Sequence, residues 1–222
     1  MNKYAAAFLL TALTYAYAQK NNSIITVPQI HPVITDGTIK EQDWNKAKKI
    51  VLEDGSAVYF GHDKEYLYVG FKGLFEPWGH FYIKNRSNVY VFHPTISMGK
   101  VIYQLDRSDI WQPDRRFNWK LKKDNVNTSN STESEKFLKE EGWIPYFNAQ
   151  PGKKELIFKI NIKHYDQKNF FVAIVYGYRS PKYLFWPPTL DDATIKPEIF
   201  TGYNPSDVRF DFKSWTKLVF AE

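Results

Sequence analysis

Apolar and polar residues alternate along most of this chain, which is the period of a half-buried β-strand. The stretch "SAVYFGHDKEYLYVGFKG" (56–73) predicts a hairpin. Val58 and Phe60 share one face, Leu67, Val69 and Phe71 continue it, and the polar tetrad His62-Asp63-Lys64-Glu65 makes the turn. "HFYIK" (80–84) and "NVYVFH" (88–93) form a second pair across Asn85-Arg86-Ser87. "KVIYQLD" (100–106) and "RFNWKLK" (116–122) form a third, joined by the loop "RSDIWQPDR" (107–115). "KELIFKINI" (154–162) and "FFVAIVYGY" (170–178) are further strands, the second apolar on both faces as a central sandwich strand is. "DVRFDF" (207–212) closes the series, with Val208, Phe210 and Phe212 on one side. Helical spacing is confined to residues 39–47 and 133–141, and the polar run 122–136 reads as a loop outside any core. Many short strands at close spacing predict an all-β fold: an antiparallel β-sandwich of immunoglobulin-like or jelly-roll type, with one or two short helices.

The first 18 residues break this pattern. Met1-Asn2-Lys3 is a short positive region, residues 5–13 are apolar but too short to span a bilayer, and Ala16-Tyr17-Ala18 fits a small-x-small cleavage site. The expectation is a secretory signal peptide cut after Ala18, then one domain over 19–222 in an exported, periplasmic or secreted protein, with no membrane span. The chain has no cysteine, which removes disulfides, thiolate catalysis and cysteine-based zinc sites. Export without disulfides fits a bacterial source.

Composition adds an abundance of rings: 7 Trp, 15 Tyr and 17 Phe, which suit pleated sheets and also sites that grip flat, partly apolar ligands. The formal charge is +6, and loss of Lys3 with the leader leaves +5. The positive residues are mostly lysines scattered among acids, and "RFNWKLKK" (116–123) alternates as an ordinary strand does, so no nucleic-acid partner is expected. No nucleophile elbow, phosphate loop or dinucleotide turn is present, so nothing marks the chain as an enzyme, although glycoside hydrolysis needs only two carboxylates.

One segment has a sharper signature. In "VITDGTIKEQDW" (33–44), Asp36-Gly37 is a turn dipeptide and Thr38 with Glu41 spells a capping box, so Thr38 is expected to cap the helix that follows. Trp44 and Ala47 share a face, which makes Trp44 a wedge into the end of the sandwich. "ITDGTIKEQDWNKAKKI" followed by "VYFGHDKEYLYVGFKG" resembles the opening of family 9 carbohydrate-binding modules, within the wider DOMON-like sandwich group. "VFHPTISMGKVIY" (91–103) and "FWPPTLDD" (185–192) are similar to exported bacterial proteins of that kind. The resemblance implies a β-sandwich that binds poly- or oligosaccharide without catalysis, and calcium in some members. DOMON-like relatives bind haem and carry electrons instead.

A sugar presents an apolar C–H face and a rim of hydroxyls, so its site takes an exposed aromatic face ringed by polar side chains. Loop tryptophans fit that need. Trp111 stands in "RSDIWQPDR" with Asp109, Asp114 and Arg115 around it; Trp78 stands in "FEPWGH"; Trp186 stands in "FWPPTLDD". Trp119, Trp143 and Trp215 are assigned to the core or its edge. Met98 with His93 or another histidine is the pair that haem ligation would use, against a plainer reading as core filler and sheet histidine. The acids of "PPTLDDA" and "RSDIWQPDR" are the oxygens that calcium would use, though no calcium-loop pattern is present. An exported interaction or scaffold protein without a small ligand remains the other alternative.

Overall fold

A computed structural model describes residues 23–33, 36–73, 79–94, 97–120, 136, 139–148, 155–165, 169–176, 184–192, 195 and 208–222. The expected leader and the polar run over 122–135 lie outside them. Two sheets make up the fold. The larger joins β1 (Ile24–Val27), β13 (Thr216–Phe220), β11 (Asn169–Tyr176), β5 (Gly79–Asn85), β6 (Asn88–Pro94), β7 (Ser97–Leu105) and β8 (Trp111–Lys120) in that order, with β12 (Leu184–Trp186) also paired to β11. The smaller runs β2 (Lys48–Val51), β3 (Ala57–His62), β4 (Tyr66–Lys72), β10 (Glu155–Asn161) and β9 (Trp143–Phe147). All pairs are antiparallel except β1 with β13.

The inner faces carry the alternation read from the sequence. Val58, Phe60, Leu67, Val69 and Phe71 are buried, as are Leu156 and Phe158 beside them. They meet Phe81, Phe92 and Ile174 of the larger sheet, with Phe81 5.6 Å from Phe158 and Phe92 4.8 Å from Trp143, ring centre to ring centre. Face-to-face packing of two twisted sheets is the β-sandwich. At one end of this interior an ion pair is sealed in. Lys100 shares a face with Phe92 across β6–β7, and its Nζ lies 2.9 Å from Oε2 of Glu141. Lys100 also donates to the Glu141 main-chain carbonyl at 2.9 Å, which accepts from the Tyr165 hydroxyl as well.

The outer faces are covered too. On the larger sheet Tyr82, Val91, Val101, Tyr103 and Val175 are sealed by Leu190, Val208, Phe210 and Trp215 from the C-terminal third. Asp192, fully buried, ties this cover together by accepting from the Asp211 amide at 2.8 Å and the Trp215 indole at 3.0 Å. On the smaller sheet the segment before β2 lies across Gly61 and Gly70. A Cβ on Gly61 would sit 2.3 Å from Ile30 Cδ1, and one on Gly70 would sit 3.0 Å from both Ile39 Cδ1 and Trp44 Cη2. Each glycine is a recess that a covering side chain fills.

Several expectations change. The helix α1 is only Glu41–Trp44, with Lys40 at its N-cap and no side-chain cap. Thr38 does not cap it: its amide donates to Asp36 Oδ1 and its hydroxyl accepts from Asn148 of the β9 end. Trp44 packs on the outer face over Gly70 and edge-on to Tyr59, not into the sandwich end. Of the strand expected over 207–212, the described residues 208–212 make one bridge, Val208 to Trp111, and enter a 3-10 turn; the closing strand is β13. The strands β1, β2, β9, β12 and β13 were not anticipated. In the second expected helix, Lys136 and residues 139–141 are helical, and the others lie outside the described residues.

Candidate functional site

Two of the three expected stacking rings, Trp111 and Trp186, are buried. Trp111 is 4% exposed and opens β8 rather than standing in a loop. Asp106 accepts from the amides of Ser108 and Ile110, which closes the turn early, and Asp109 takes the left-handed conformation there (φ 56°). The Trp111 ring is walled by Phe210 at 5.9 Å and Phe212 at 5.4 Å. Trp186 is 3% exposed, its ring 5.2 Å from Phe60 in the inner core. The two tryptophans thus serve different sides of the larger sheet, and roughly 24 Å of strand spacing separates β12 from β8. No single slot joins them. The physical reason is that large apolar rings at a sheet end gain more from a cover of other rings than from water.

Asp109 and Asp114 are exposed, Asp114 3.3 Å from the Gln104 amide, but with Trp111 covered they rim no open ring. The Arg115 side chain lies outside the described residues, as does Trp78. Met98 stands opposite Pro94 in the β6–β7 register, and its side chain is also outside them. Trp143 and Trp215 are core, as expected. Among the described residues no three His, Asp or Glu converge on a metal position, and no helix is long and apolar enough to cross a membrane.

Two places do gather polar chemistry. The first is where β5 begins and β6 ends, one residue after Trp78 in the chain. Alternation puts His80 and Tyr82 of β5 on the outer face, and His93 of β6 joins them. The His80 and His93 rings meet edge to face at 4.4 Å. Burial first, then the neighbouring His93, holds His80 well below the usual histidine range, so it is the neutral imidazole at neutral pH. A neutral imidazole offers one donor and one acceptor, the complement of a hydroxyl. Tyr82 beside it is fully buried, with a hydroxyl that meets no partner among the described residues, and burial raises it well above the usual tyrosine range.

The second is a groove of about 550 Å3 on the outer face of the smaller sheet. Its walls include Trp44, Asn45, Lys49, Val51, Tyr59 and Lys72. Register explains the set: Lys49 is opposite Tyr59, Val51 opposite Ala57, and Ala57 opposite Lys72, so all point away from the sandwich interior. The sequence signal was there, since Tyr59 is the outward residue between inward Val58 and Phe60. Without a cover to wall it in, an outward tyrosine alone did not single itself out.

These are features of a two-sheet β protein with covered outer faces. The chain is similar to family 9 carbohydrate-binding modules. One such module, from Caldicellulosiruptor kristjanssonii in complex with glucose, is 9% identical over 90% of this chain and 96% of its own, with a TM-score of 0.45. The same kind of module from that organism in complex with cellotriose is 8% identical over 89% and 93%, with a TM-score of 0.45. A candidate carbohydrate-binding protein from Bacteroides uniformis is 13% identical over 90% of this chain and all of its own, with a TM-score of 0.48. No protein-family model matches the chain, and no curated protein matches it.

Proposed function

We propose that this is an exported, non-catalytic carbohydrate-binding protein, released from its leader after Ala18. The site is the outer-face end of β5 and β6. Trp78 supplies the stacking ring, and His80 and His93 supply hydrogen bonds to sugar hydroxyls. The observation that carries this reading is the buried imidazole pair of His80 and His93, with His80 two residues after Trp78 in the chain. The resemblance of residues 34–50 and 58–73 to family 9 modules supports the ligand class. Of the three loop tryptophans, Trp111 and Trp186 are built into packing, which moves the stacking role to Trp78.

Titration calorimetry of the purified protein against neutral cello- and xylo-oligosaccharides tests this. Binding at millimolar concentration or tighter is expected, and Trp78→Ala should weaken it at least tenfold, in line with roughly 1–3 kcal/mol for a stacked ring. Trp111→Phe, which keeps a ring in the same wall, should leave it unchanged. Absence of binding by the wild type to any sugar of the panel sinks the proposal.

A further inference from the structure

We infer that the groove over the smaller sheet is a second binding site, on the opposite side of the sandwich, and that it takes a carboxylated sugar ring such as the uronate residue of an acidic polysaccharide. The groove is of ligand size: sites for small molecules run from about 300 to 1,000 Å3, and this one is about 550 Å3. Its floor and sides mix ring and aliphatic surface with charged heads, which is the mixture a sugar acid needs.

Tyr59 is half-buried and edge-packed on Trp44 at 5.8 Å, so its ring is fixed in place rather than free to swing. Val51, 64% exposed, extends the apolar surface next to it. An isolated exposed valine needs no explanation, but here it lies on the wall of a cleft beside a rigid ring. Trp44 also lines the groove.

Lys49 is the cation on the wall that a carboxylate can meet. Lys49 lies 5.7 Å from the Tyr59 ring centre and makes no ion pair among the described residues. Lys72 is steadied at the groove by Glu155, 3.2 Å away. That carboxylate is itself buried and accepts from the Ile39 amide at 3.1 Å, so its charge is held from below while the lysine side chain stays about half exposed. Glu41 and Asn45, both exposed on the wall, are placed to meet hydroxyls. A ring laid on Tyr59 with its carboxylate toward Lys49 uses each of these groups once.

The test is calorimetry on the purified protein with trigalacturonate, its fully methyl-esterified form and cellotriose, at 20 and 200 mM NaCl. Trigalacturonate should bind, weaken at the higher salt as screened charge requires, and weaken about tenfold with Lys49→Gln, the scale of one hydrogen bond to a charged group. The methyl ester should lose a similar factor, and Trp78→Ala should leave the uronate titration unchanged. Lys49 is exposed, so this variant keeps the fold, and a melting curve checks that. No binding of trigalacturonate overturns the inference, and so does binding indifferent to Lys49→Gln or abolished by Trp78→Ala. If cellotriose binds in a Trp78-dependent way while the uronate does not bind, the proposed function stands and only this second site falls.

Discussion

Replacing Lys100 by methionine should destabilise the protein far more than a change of one exposed charge would. The lysine side chain is 2% exposed and its partner Glu141 7%, with the charged atoms 2.9 Å apart. At an effective dielectric of about 20, that separation gives roughly 6 kcal/mol of attraction, which offsets the cost of taking both charges out of water. Lys100→Met keeps most of the volume but removes the cation and the donor to the Glu141 carbonyl. The carboxylate then stays buried near Tyr165 without this lysine, and the expected loss is about 3–5 kcal/mol. In a chain of 222 residues this corresponds to a fall in Tm of roughly 6–20 °C. Urea unfolding followed by tryptophan fluorescence measures the loss. The double variant Lys100→Met/Glu141→Gln removes the buried charge and should recover at least half of it. A loss under about 1 kcal/mol in the single variant, or equal losses in single and double, would refute the idea that loss of the Lys100 charge beside a buried carboxylate is what destabilises it.

The smaller sheet and the histidine pair lead to two more outcomes. Gly70→Ala should cost about 1–3 kcal/mol by overpacking, because its Cβ meets Ile39 and Trp44 at 3.0 Å; a stabilised variant in thermal melts would mean that residues 39–44 do not cover this face. His80 is held below its unfolded value, near 6.5, by burial and by His93. Below that pH the unfolded chain binds a proton that native His80 refuses, so stability is full above about pH 6.5 and declines as pH falls toward the depressed folded value. Urea midpoints at pH 7.5 and 5.5 should therefore differ more for the wild type than for His80→Gln, and equal differences would count against a neutral buried His80.

How much of this was legible beforehand depended on the range of the interaction involved. The hairpin over 56–73 was readable because each step is local: alternation sets the inward residues, and Asp63 holds the turn through its own near neighbours, accepting from the amides of Glu65 and Tyr66. The strand β13 was not, because "TKLVF" is short and carries a lysine, and it becomes a strand by lying between β11 and a parallel β1 nearly two hundred residues upstream. The capping box failed for a similar reason. Thr38 has the right spacing to Glu41, but Asp36 and the distant Asn148 claim its amide and hydroxyl.

The tryptophans divide along the same line. Trp44 was expected to pack, and its spacing to Ala47 said so, but which surface it packs on was set by Gly70 in another strand. Trp111 looked like a ring free to stack because its immediate neighbours are polar; Phe210 and Phe212, a hundred residues further on, cover it. The groove beside Tyr59 and the meeting of His80 with His93 are likewise products of register and cover. Sequence by itself determined the all-β class, the two-residue alternation and the inward set of the 56–73 hairpin, because those follow from the pleat and its nearest neighbours. Tertiary structure alone decided which outer faces are sealed, which rings remain near water and where polar groups converge, because burial is conferred by segments far away along the chain.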